Sequence, residues 1–170
     1  MPRAKLDDVD RRMLTALQAD GRMTNLALAR LLGISPPSCL RRMRALRDAG
    51  YIRAYHAELD AEALGFGVAA YAMVGLTSQA EANLVAFEKR AANWPLVREC
   101  HMLAGEADFL LKIVAADWDA LQAFLTQELT VAPTVSSVNT MLAIRTSKHE
   151  PGIPVPSAAP QPAKRKRPKV

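Results

Sequence analysis

The 170 residues predict an α+β chain: a helical amino-terminal part, then a part in which strands and helices alternate. Three observations carry that prediction. Residues 25–48 hold two short apolar-periodic segments joined by Gly33-Ile34-Ser35, and the second segment carries four arginines in seven residues. Beyond residue 65 the patterns run strand, helix, strand, strand, helix, strand. The last twenty residues contain six prolines and no apolar period. The first pattern is that of a winged helix-turn-helix, and the second is the βαββαβ order of a ferredoxin-like αβ-sandwich. The expected organisation is therefore residues 1–58 as the helical domain, 59–65 as a hinge linker, 66–150 as the sandwich, and 151–170 as a disordered Pro/Lys/Arg-rich tail.

Each element has a local reason. A first helix is expected from Leu6-Asp7 to about Ala19, because Val9, Met13, Leu14, Ala16 and Leu17 keep helical spacing. Asp7 and Asp8 suit its positive end, and Asp20-Gly21 stops it. Asn25–Leu32 forms the second, with Leu26, Leu28, Ala29, Leu31 and Leu32 expected on a buried face. Gly33 supplies the left-handed backbone that ends a helix cheaply. Ser35 suits an N-cap, and Pro36 suits the first helical position, whose N–H has no intrahelical partner. Leu40, Met43 and Leu46 share the face of the third helix expected to be buried, with Cys39 at or near the core. Asp48-Ala49-Gly50 closes it. Tyr51–Glu58 alternates like a strand and would form a short β-wing.

In the second half, Val68–Leu76 reads as a strand, Glu81–Ala92 as a helix ended by Asn93-Trp94-Pro95, and Leu96–Leu103 and Phe109–Ala115 as strands around a turn. Asp117–Leu129 is amphipathic, with Trp118, Leu121, Phe124 and Leu125 on its apolar side, and Val135–Thr146 is the last strand. Both helices would cover one face of the sheet. The other face asks for a second sheet, so the layout predicts dimerisation.

Charge and cysteines narrow the function. Residues 1–65 hold 11 Lys+Arg against 8 Asp+Glu, residues 66–150 hold 6 against 9, and residues 151–170 hold 5 against none. The basic end of the folded part coincides with the helix-turn-helix, and the acidic middle is a poor surface for nucleic acid. Cys39 and Cys100 make no disulfide framework and lack the Cys or His neighbours of a zinc site, so neither metal nor cofactor is expected. The polar amino terminus and the lack of a membrane-length apolar run predict a soluble protein of a reducing cytoplasm, associated with the nucleoid and not with membranes.

The third helix has the composition of a recognition helix. Ser38, Arg41 and Ala45 lie opposite its leucine face, Arg42 and Arg44 sit on the shoulders, and Pro37 is near the exposed amino-terminal end. Recognition helices present such residues to base edges while flanking groups hold phosphates. Ser38 and Arg41 are expected to read bases of double-stranded DNA, and Ser35, Arg42 and Arg44 to grip its backbone. Arg53 in the wing either reaches a phosphate or is a solvated strand arginine. Arg47 points nearer the core face and is expected to pair with an acid or reach outward. The cluster Lys164-Arg165-Lys166-Arg167 with Lys169 reads equally as a phosphate-binding tail or a solubilising one.

Across about 150 positions the chain resembles the Lrp/AsnC family of leucine- and asparagine-responsive transcriptional regulators. The residues that carry the resemblance are LDDVDRRMLTALQADGRMTNLALARLLGIS, CLRRMRALRDAGYIRAYHAELD, VRECHMLAGEADFLLKI and VNTMLAI. It implies a winged helix-turn-helix hinged to an effector-binding sandwich, the RAM domain, which forms dimers and often octamers. It also implies a small-molecule effector, usually an amino acid, bound between dimers. By that resemblance the effector contacts fall on Met102, Gly105, Asp108 and Thr140, with Asp108 accepting hydrogen bonds from an α-ammonium group. Taken alone, Gly105 is the residue of a tight β-turn. Two positions depart from the family pattern. Phe109 stands where a tyrosine is usual, and the recognition helix opens Ser35-Pro36-Pro37-Ser38 where Ser-Pro-Thr-Pro is usual.

Two other classes compete. Some tetrapyrrole-modifying enzymes share this architecture, and a nucleoid-packing protein would welcome the basic tail. Catalysis needs convergent titratable groups, whereas His56, His101 and His149 have no partner at metal or triad spacing in the sequence. A regulator without enzymatic activity is the expected function.

Overall fold

The computed structural model describes residues 5–156. They fall into two compact units, one of residues 5–58 with 149–156 and one of residues 59–148. The expected tail beyond residue 156, with its basic cluster, lies outside the described residues.

The first unit is built on α1 (Asp8–Ala19), α2 (Asn25–Leu32) and α3 (Pro36–Asp48). Its core is Met13, Leu17, Leu28, Ala29, Leu32, Cys39 and Leu46. Leu26 and Leu31, expected inside, are exposed. In α2 the residues 28, 29 and 32 already cover the inward arc, and positions 26 and 31 fall outside it. In α3 the buried line runs through Cys39 and Leu46, with Leu40 and Met43 half-buried beside it. Gly33 ends α2 at φ +69°, and Gly50 follows α3 at φ +74°, both in the left-handed region that favours glycine.

The expected β-wing is not formed: Tyr51–Glu58 belongs to no strand. Alternation alone does not make a strand, because the backbone needs a neighbour to pair with. Here Tyr51 N–H instead donates to the Leu46 carbonyl at 2.9 Å, and Tyr51 and Ile52 pack on the helical core.

The second unit is a four-stranded antiparallel sheet of β1 (Val68–Leu76), β2 (Val97–Met102), β3 (Phe109–Ala115) and β4 (Val135–Leu142) in the order β2-β3-β1-β4. Two helices complete it, α4 (Glu81–Ala91) and α5 (Trp118–Phe124), the latter continuing as one π turn over Leu125–Leu129. Register explains the core. Ala70, Ala72 and Val74 of β1 lie beside Ile113, Leu111 and Phe109 of β3 on one face. That face meets Phe87 and Ala91 of α4 and Leu121 and Phe124 of α5. Small residues on β1 leave room for the ring of Phe87, which lies 4.7 Å from that of Phe109. Trp118, expected on the apolar side, is exposed, because it opens α5 immediately after the Asp117 cap. The opposite sheet face carries Ala69, Tyr71, Met73, Leu110, Val114 and Met141, and neither helix covers it.

Candidate functional site

The turn between α2 and α3 is fixed by polar ties to its own backbone. Asn25 Nδ2 donates to the Pro36 carbonyl at 3.0 Å, joining the start of α2 to the start of α3. Arg12 Nη2 donates to the Leu31 carbonyl at 2.9 Å, which places a cation at the carboxy-terminal end of α2. Ser35 is the N-cap of α3 by backbone, yet its side chain makes no cap bond. Pro37 at N2 has no N–H to offer it, the Ser38 N–H at N3 is not taken up by it, and Ser35 is exposed.

On α3 the arginines divide. Arg41 and Arg44 are exposed, and no hydrogen bond or ion pair engages either among the described residues. Pro37 is exposed beside them and Ser38 is half-buried. Arg53 is exposed on the unpaired segment after α3. Arg47 is exposed, with its Nε 4.0 Å from Asp48 Oδ1.

Arg42, expected on the DNA backbone, turns toward α1. Its Nη1 donates to Asp7 Oδ2 and to Asp10 Oδ1, both at 2.7 Å, and its side chain is only 27% exposed. The two acids already cap α1 reciprocally: Asp10 N–H donates to Asp7 Oδ1 at 2.8 Å, and Asp7 N–H to Asp10 Oδ2 at 3.2 Å. Each carboxylate gives one oxygen to the cap and the other to Arg42. The Asp10 backbone N–H, followed by Arg42, holds the Asp7 carboxyl below the usual range, and the same acids hold the Arg42 guanidinium more firmly charged. Arg42 is thus a strut between α1 and α3. The signal was present as Asp7-x-x-Asp10 at a helix start, but its third partner was not.

The turn before β3 is also tied inward. Asp108, expected to face an ammonium group, is 8% exposed. Its Oδ2 accepts from the Leu76 N–H at 2.6 Å and its Oδ1 from Gln79 Nε2 at 2.8 Å. Its own N–H donates to the Val74 carbonyl at 2.9 Å. Each carboxylate oxygen therefore already has a donor from this chain, and Asp108 fastens the turn to the end of β1. Gly105 has open space where a Cβ would stand and no left-handed φ. Met102 is exposed at the end of β2, adjacent to that turn. Thr140 is half-buried on β4. Strands β2 and β4 are the two edges of the sheet, so about 14 Å separates them. Met102, Gly105 and Asp108 share one end of the sheet, and Thr140 lies across it.

Two of the three histidines have carboxylate neighbours. His101 Nε2 is 3.1 Å from Glu99 Oε2, and Glu99 Oε1 accepts from Lys112 Nζ at 2.9 Å. His149 Nε2 is 3.1 Å from Glu58 Oε1. Among the described residues no three His, Cys, Asp or Glu side chains group as metal ligands, and no helix is long and apolar enough to cross a membrane.

Comparison with known proteins agrees with both units. Residues 6–53 match the winged helix-turn-helix DNA-binding family, and residues 69–153 match the Lrp/AsnC ligand-binding domain. The leucine-responsive regulatory protein of Rhizobium meliloti is 52% identical over 146 residues, covering 86% of this chain and 94% of that protein. The Bkd operon transcriptional regulator of Pseudomonas aeruginosa is 38% identical, covering 84% of this chain and 93% of that protein. A transcriptional regulator of Neisseria meningitidis, solved in complex with L-methionine, superposes with a TM-score of 0.84 at 33% identity, covering 88% of this chain and 96% of the other. The chain belongs to the Lrp/AsnC family of DNA-binding transcriptional regulators.

Proposed function

We propose that this regulator reads its operator with Arg41 and Ser38, holds the phosphates with Arg44, Ser35 and Arg53, and answers to an amino acid bound by its second unit. One observation carries the DNA assignment. Arg41 and Arg44 stand exposed on the side of α3 opposite buried Cys39 and Leu46, unengaged among the described residues. Pro37 adds an apolar contact at the same end. The amino-acid class of effector is supported by the Neisseria relative, whose structure contains L-methionine.

The effector site takes Met102 and the Gly105 turn from one edge of the sheet. Thr140, on the far edge, serves the same ligand only from a second copy. The open sheet face supports that pairing, since Tyr71, Met73, Leu110 and Met141 lie on it without helices to cover them. A ligand that prefers one assembly state shifts how many α3 helices reach DNA together. The protein acts on chromosomal DNA in the cytoplasm and catalyses nothing.

Arg41→Ala tests the DNA assignment. Competition between operator and random duplex should lose about 1–3 kcal/mol of discrimination at one base pair while the fold is kept. Unchanged sequence preference would move the reading face elsewhere. For the effector, a thermal-shift screen of the common amino acids should raise the melting temperature with at least one of them. Twenty flat traces would overturn the amino-acid reading.

A further inference from the structure

The DNA-binding unit holds a groove of about 820 Å³ between α1 and residues 51–56, apart from the exposed arginines of α3. Small-molecule sites run from about 300 to 1,000 Å³. The segment after the last strand forms one side of it. Gln18 Nε2 donates to the Ile153 carbonyl at 2.8 Å, and the Ile153 N–H donates to Gln18 Oε1 at 3.1 Å. Gly152 permits that approach: its φ is +91°, and a Cβ there would collide with the Gln18 side-chain amide. Ile153 and Val155 thereby join Leu6, Leu14, Leu17 and Ile52 as an apolar wall. The charges in the groove are of one sign. Among the described residues that line it, Lys5, Arg11 and Arg53 are cations and none is an acid. Lys5 and Arg53 are exposed, whereas Arg11 is only 8% exposed. Among the described residues the Arg11 guanidinium has one partner, Asp8 Oδ1 at 3.6 Å, and the Asp8 side chain is itself 90% exposed. A guanidinium carries five N–H donors, and a buried charge is costly unless it is paired and hydrogen-bonded. One long contact to a solvated acid leaves most of that requirement open.

We propose that this groove binds a small amphipathic monocarboxylate, its carboxylate paired with Arg11 and its aliphatic or aromatic body against Leu6, Leu14, Leu17 and Ile52. A carboxylate accepts two parallel bonds from a guanidinium, which suits a buried arginine better than a single point contact does. The apolar wall selects against inorganic anions, whose hydration would be lost there without return. A free amino acid fits poorly, because its ammonium group would meet three cations and no acid. The ligand class therefore differs from that proposed for the second unit, and neither site depends on the other.

The test titrates the full chain, free of DNA, with phenylacetate, octanoate and the carboxamide of each, followed by backbone N–H signals in NMR spectra. Both acids should move the signals of Leu14, Leu17, Ile52 and Tyr55. Each carboxamide should bind about tenfold more weakly, for want of the charge-assisted bonds. Arg11→Met keeps an unbranched side chain on α1 without the charge, and there acid and carboxamide should bind alike. Arg11→Lys, which keeps the charge and loses the fork, should restore part of the preference. Equal binding of acid and carboxamide by the natural chain would overturn the proposal, and that comparison needs no substitution, so it decides even where Arg11→Met fails to fold. Groove signals that stay unmoved would overturn it too, the result expected where the ends of the chain or a second copy fill the groove. So would an acid preference that survives in Arg11→Met.

Discussion

In the sheet unit Phe87, Trp94, Phe109 and Phe124 meet ring to ring at 4.7–5.9 Å, among aliphatic residues drawn from every strand pair. The helical unit has no aromatic residue among its buried seven, and polar ties link its helices instead: Arg42 to Asp7 and Asp10, Arg12 to Leu31, Asn25 to Pro36. Size explains the contrast. About 60 residues bury too little apolar surface to set helix angles by packing alone. Directional polar bonds supply the missing geometry, and here they set α3 against α1 and α2. The larger unit positions its strands by packing and keeps its buried polar chemistry for a turn.

Mutations can break this contrast. Phe87→Ala should be the costliest, at about 3–5 kcal/mol, because a fully buried ring leaves a cavity against Phe109 and Trp94. Denaturant unfolding would read it, and a loss no larger than that of a helical-unit tie would end the comparison. Asp108→Ala should cost about 1–3 kcal/mol by stranding the buried Leu76 N–H. Calorimetry should then find a weaker amino-acid complex through a loosened turn, and Asp108→Asn should recover part of the stability by keeping one acceptor oxygen.

Arg42→Ala should cost about 1 kcal/mol, since the ion pair is only partly shielded from water. Its signature is pH-dependent. The Asp7 carboxyl is lowered in the folded chain, so its contribution is present above the ordinary carboxylate value of about 3.9 and is lost as pH falls through the lower folded value. The gap in stability between natural chain and variant should therefore close below about pH 4. A gap that persists there would assign Arg42 to packing.

Elements governed by their own residues were legible in advance. β1, β3 and α2 have the expected ends, because alternation of buried positions and a left-handed Gly33 are local signals. The sheet order follows from the βαββαβ pattern. What escaped depends on neighbours distant in sequence. Arg42 looks like its sister arginines until α1 brings two acids beside it. Asp108 looks like a surface turn acid until the end of β1 arrives with an N–H. Tyr51–Glu58 alternates as a strand would, yet among the described residues no strand lies alongside. Gln18 gives no sign that Ile153 returns to it across 135 positions.

Cys39 has no exposed surface, and burial pushes its thiol up from its ordinary value; Cys100 is exposed on β2. Only a thiolate reached by reagent is alkylated, so Cys39 should react only when the core under α3 opens, locally or by global unfolding. Alkylation of Cys39 set against that of exposed Cys100 should therefore time such openings, and a duplex that binds along α3 should slow the first and leave the second unchanged.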